Sequence, residues 1–182
     1  MAVDGRAMRV GVKDTLHPLK HELAHQIAFE YCKYDYNQSR GIEFHFWCVE
    51  GLANYLEWFV YEAGTWRLSK PNVLKMGENA VQGAFAWCVQ NRGAIPPVWK
   101  FMRLTQQEFV TVENYHISAT LAWFLLEGEG GKYRESFLRL LDTVHKVRDE
   151  PRSFEACFPG VEMEALQKEW EAFLDGIEID KS

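Results

Sequence analysis

The stretch LKHELAHQIAFEY, residues 19–31, sets two histidines four positions apart, His21 and His25, with Glu22 directly after the first. On a helix, residues i and i+4 stand one above the other on the same face. Leu16, Leu19, Leu23, Ile27 and Tyr31 recur at spacings of three and four, which predicts such a helix with one apolar stripe. Asp14 or Thr15 can cap its start, and Pro18 then falls in the first turn, where its missing N–H costs no hydrogen bond. Just upstream, RAMRVGVKD reads as a short strand over residues 7–12, weakened by Gly11.

Downstream, the signals are again helical. NQSRG, residues 37–41, is a loop. FWCVEGLANYLEWFVYEAG predicts a second helix over residues 47–62 that ends near Gly64. SKP at residues 69–71 starts a third helix that runs to Arg92 and stops at Gly93. AIPPVW is a turn leading into a short helical piece that reaches Leu104. ENYHISATLAWFLLEGEGG is a long helix stopping at Gly128, KYRESFLRLLDTVHKV another, and RDEPR at residues 148–152 a charged turn. MEALQKEWEAFL closes the pattern as an amphipathic helix with Met163, Leu166, Trp170, Phe173 and Leu174 on one side. Without repeats or a linker, the reading is one mainly α domain over residues 1–182 with a scrap of N-terminal strand.

Bulk properties narrow the function classes. The chain has 182 residues, 47% hydrophobic content and seven tryptophans, which argues for a packed globule. A net charge of −6 and the lack of any Lys/Arg run argue against a nucleic-acid partner. No apolar run approaches the roughly 18 residues of a membrane span, so none is expected. MAVDGRAMRVGV carries no long apolar leader core. Cys32, Cys48, Cys88 and Cys157 form no CxxC pair and read as buried free thiols.

His21-Glu22-Leu23-Ala24-His25 is an HExxH sequence. Two imidazoles on one face can share a zinc ion, and the carboxylate one position round can take a proton from a water on that ion. A catalytic zinc needs a third protein ligand and an open position. Metzincins would require Gly and His at the third and sixth positions after His25, which hold Ala28 and Tyr31. A carboxylate from a second helix remains, and Glu50 is the candidate, flanked by apolar Val49, Leu52 and Ala53. Gly51 lets the two helices approach closely. Asn54, one turn on, can hydrogen-bond a ligand histidine. Glu57, nearly on the same face, reads as a salt-bridge or outer contact. Glu43 and His45 compete as ligands from a loop; His17 reads as a cap or surface residue, and His145 as solvent-facing. His116 has no assigned role.

HELAHQ followed by FWCVEGLANYLE resembles the gluzincin zinc metallopeptidases, whose Trp-x-x-Glu-Gly-x-Ala-x-Tyr segment falls here on Trp47, Glu50, Gly51, Ala53 and Tyr55. Further on, Tyr115, Ser118, Leu121, Phe124 and Leu125 match a second segment of the same families, closest to the peptidase-MA-like group. The resemblance implies a zincin-like helical domain, a Zn²⁺ ion on His21, His25 and Glu50, Glu22 as general base, and Tyr115 as hydroxyl donor to the oxyanion. It implies a peptide or protein substrate, and residues 7–12 as the edge strand along which that peptide pairs. Gluzincins carry a larger sheet before this helix, so the chain is expected either to be N-terminally truncated or to lack the rest of that sheet; family members are often exported. Two alternatives stay open at this point: a catalytically inactive metal- or peptide-binding module of the same fold, and a purely structural helical domain.

Overall fold

A computed structural model describes residues 5–32, 42–68, 73–75, 80–146 and 150–180. The fold is mainly α-helical. The chain runs α1 (Gly5–Cys32), α2 (Phe46–Leu56), β1 (Phe59–Glu62), β2 (Thr65–Leu68), β3 (Val73–Lys75), α3 (Ala80–Gln90), α4 (Val98–Phe101), α5 (Gln106–Phe109), α6 (Val112–Glu127), α7 (Arg134–Lys146), α8 (Ser153–Cys157), α9 (Met163–Asp175) and β4 (Glu178–Asp180). The loop at 37–41 and the SKP cap at 69–71 lie outside the described residues, as do 148 and 149 of the charged turn and the side chain of His17.

Helix α6 is the axis of the core. Ten consecutive residues, Ile117 to Leu126, are buried. A helix apolar on every side is stable only when neighbours surround it, and α2, α3, α7 and α9 do so. Trp58, Phe85 and Trp123 form edge-to-face pairs there, with ring centroids 5.0–6.0 Å apart. Thr111 caps α6 by accepting from the Asn114 N–H. Thr105 and Glu108 form a capping box at α5. The four cysteines are free thiols, all buried.

Helices α2 and α6 approach closely at Gly51. A Cβ there would stand 2.7 Å from the Ser118 carbonyl oxygen and 2.8 Å from the Ala122 Cβ. The close approach for which the glycine is needed is therefore to α6, and not to the HExxH helix as expected. One obstacle is backbone and cannot rotate away. Gly51→Ala is expected to cost about 1–3 kcal/mol of stability by overpacking, read as a lower urea midpoint; an unchanged midpoint would refute this packing.

Three expectations are corrected. Residues 7–12 are helical, inside α1, and do not form an edge strand. Ala7, Met8, Arg9 and Lys13 are good helix formers, and Val10, Gly11 and Val12 disfavour the helix by at most about 1 kcal/mol each. A helix also satisfies its own backbone, which a solitary strand cannot. The same run removes Asp14 and Thr15 as caps and puts Pro18 inside the helix.

The second correction concerns the outward face of α1. Leu19, Leu23, Ile27 and Tyr31 do share a face, but they are 53–81% exposed. The buried face carries Ala24, Ala28 and Cys32, with His21 and His25 half-buried along it. Small residues let α1 lie close enough to α2 for imidazole and carboxylate to meet, which a row of leucines would prevent.

The third concerns α2, which ends at Leu56 and not near Gly64. A β-hairpin follows, β1 antiparallel to β2, with Phe59 opposite Leu68 and Glu62 opposite Thr65. Its two-residue loop has positive φ at both Ala63 (49°) and Gly64 (84°), the type I′ geometry that matches strand twist. Likewise Val73–Lys75, read as helix, is a strand, and it pairs in parallel with β4.

Candidate metal centre

Helix α1 brings His21 and His25 to one face, and α2 brings Glu50 opposite them. Glu50 Oε2 lies 3.1 Å from His21 Nε2, and Glu50 Oε1 lies 3.5 Å from His25 Nε2. The two imidazoles meet edge to face, with centroids 4.8 Å apart. One ligand atom from each of the three residues falls within 4.8 Å of the others. Glu50 is buried, at 6% exposure. A carboxylate taken out of water is costly unless paired, and here both of its oxygens face imidazole nitrogens.

These residues can hold one divalent ion. Ligand atoms about 2.0–2.1 Å from a tetrahedral zinc stand roughly 3.3 Å from one another; here one Glu50 oxygen is 3.1 Å from His21 Nε2 and the other 3.5 Å from His25 Nε2. Two imidazoles and one carboxylate are also a three-ligand set that leaves a fourth position open.

The environment sets the protonation of the metal-free site. Hydrogen bonds to Glu50 and then to Glu57 raise the His21 pKa from its ordinary value to about 10. Burial lowers that of His25, and the neighbouring His21 adds to the depression. His21 is therefore shifted toward its protonated form and His25 toward its neutral form. A metal ion held by His21 Nε2 would compete with the proton there, so its binding would be opposed by acid.

Glu22 is exposed on α1, one position round from His21. Tyr115 is half-buried in the first half of α6, its ring edge-to-face with Phe109 at 4.9 Å. It stands one turn before Ser118, whose carbonyl abuts the Gly51 backbone next to Glu50. Burial and then the Glu50 charge raise the Tyr115 pKa, so its hydroxyl keeps its proton.

The other candidates lie elsewhere. Asn54 does not reach a ligand histidine; its amide donates to the Glu50 backbone carbonyl at 2.8 Å, within its own helix. The acceptor for His21 is Glu57, whose Oε1 lies 2.8 Å from His21 Nδ1. Glu43 is exposed. His45 is buried at the opposite end of α2, in a small pocket with Trp99, Met102 and Phe154. His116 packs against Trp87. His145, expected to face solvent, is 2% exposed and packs on Phe29, which in turn stacks with His25. Phe137, Leu140, Leu141, Val144 and His145 form the buried side of α7, a spacing that marks His145 as inward-facing.

No protein-family model, no curated protein and no solved structure matches this chain. No helix among the described residues is long and apolar enough to cross a membrane.

Proposed function

We propose that the protein is a zinc-dependent hydrolase of the gluzincin type, a metallopeptidase acting on a peptide or protein substrate, and that its helical fold is zincin-like. The observation that carries this reading is the meeting of His21, His25 and Glu50 from two separate helices, with Glu22 beside the first imidazole. The resemblance of WCVEGLANY and of the Tyr115 segment to gluzincins supports the same roles.

A zinc ion held there supplies Lewis acidity, lowering the pKa of a bound water from 15.7 to about 7 and polarising a carbonyl. His21, His25 and Glu50 hold the ion. The Glu22 carboxylate accepts a proton from the attacking water and returns it to the leaving amine. Tyr115 donates its O–H to the carbonyl oxygen as negative charge builds there. The N-terminal residues contribute no edge strand to substrate binding, since they are helical.

Tyr115→Phe tests the assignment without disturbing the metal. The variant is expected to bind zinc like the wild type and to hydrolyse peptide about 10²-fold more slowly in kcat, the scale of losing one oxyanion donor. Wild-type turnover would remove Tyr115 from the mechanism.

A further inference from the structure

We infer that Glu57 is the residue that positions His21 as a metal ligand, fixing which ring nitrogen faces the ion; this rests on the metal-centre reading above. The geometry is a three-part line. His21 offers Nε2 to Glu50 at 3.1 Å and Nδ1 to Glu57 at 2.8 Å. Seven residues are just under two helical turns, so Glu50 and Glu57 project from the same face of α2. Their carboxylates grip opposite edges of a single imidazole. With Nδ1 donating to Glu57, Nε2 is the nitrogen left to face Glu50 and His25, and once its proton is lost its lone pair would point at an ion held there.

Glu57 is itself held in place. It caps the C-terminus of α2 in helical conformation, its N–H donating to the Ala53 carbonyl at 3.2 Å. The next residue, Trp58, is buried against Phe85 and Trp123. From α1, Lys20 donates to the Phe59 carbonyl at 3.2 Å. Consecutive residues of α1, Lys20 and His21, thus fasten onto the junction between α2 and β1, which fixes the height of α1 against α2. The Glu57 side chain is 6% exposed. A buried carboxylate accepting from a ligand imidazole raises ligand basicity and fixes the tautomer. Among the described residues, His25 faces a carboxylate only at Nε2, where Glu50 lies 3.5 Å away, whereas His21 is held at both ring nitrogens.

Glu57→Gln keeps the shape and removes the charge. Two readouts test it. Zinc affinity, measured by competition with a chromophoric chelator, is expected to weaken by about 10–100-fold. In the zinc-loaded wild type, NMR of ¹⁵N-histidine protein should show His21 metallated at Nε2, with a slowly exchanging, downfield Nδ1 proton; the glutamine variant should move that proton upfield. The NMR readout on the wild type needs no variant to fold. His21 metallated through Nδ1, or equal zinc affinity in both proteins, overturns the inference while the metal centre stands. A wild type that binds no zinc overturns both together.

Discussion

Glu22→Gln is expected to keep one zinc per chain and to lose peptide hydrolysis by roughly 10²–10⁴-fold, the range that a general acid–base group contributes. The amide matches the carboxylate in shape and cannot accept the proton. Glu22 is exposed and makes no part of the three-residue cluster, so stability and metal affinity should stay near wild type. The comparison is cleanest when kcat/KM and zinc content are measured on the same preparation. Unchanged hydrolysis in a zinc-replete Gln variant would mean that Glu22 is not the base, and the peptidase mechanism would fail there.

His25→Ala is expected to lose zinc and hydrolysis together. His25 supplies one of three protein ligands, and nothing else among the residues in the cluster replaces it. Removing a ligand should weaken zinc binding by more than the roughly 10–100-fold of an outer-shell change. The fold should persist: His25 is half-buried, and the core around α6 lies elsewhere. Equilibrium dialysis against zinc, with far-UV circular dichroism as the folding control, reads both. A folded His25→Ala protein that retains tight stoichiometric zinc would move the metal away from these helices.

Much of the helical framework is legible in the sequence because burial leaves a periodic trace. ENYHISATLAWFLLEGEGG reads as a long helix stopping at Gly128, and α6 ends at Glu127; Leu166, Trp170 and Leu174 read as one side of an amphipathic helix, and all three are buried. Helix α1 misleads because Leu19, Leu23, Ile27 and Tyr31 point outward. Periodicity finds the stripe of Leu19, Leu23 and Ile27, but it cannot say which of two apolar faces is covered. The small face at Ala24 and Ala28 is the covered one, set by the spacing the site requires. The hairpin hides in an apolar stretch, FVYE, that continues a helical pattern. Its signal is the two-residue Ala63–Gly64 loop between β-favouring runs.

The candidate site divides in the same way. His21 and His25 are legible from a local spacing of four. Glu50 is a tertiary partner that spacing offers as a candidate from a second helix and family resemblance implies as a ligand; in the fold it lies 3.1 Å from His21. The Asn54 expectation fails because an amide one turn after Glu50 finds a nearer acceptor in its own backbone. Glu57 carries the contact instead, since seven residues return to the same helix face while four place the side chain along the axis beside Glu50's own carbonyl.

The most direct test of the central claim is zinc K-edge X-ray absorption on purified wild-type protein whose metal content has been counted. Two imidazoles and a carboxylate predict one zinc per chain with only nitrogen and oxygen neighbours at about 2.0–2.2 Å. Sulfur at about 2.3 Å would assign the metal to the buried cysteines, and a metal-free protein that takes up no zinc would leave His21, His25 and Glu50 as an ordinary hydrogen-bonded cluster; either result contradicts the account.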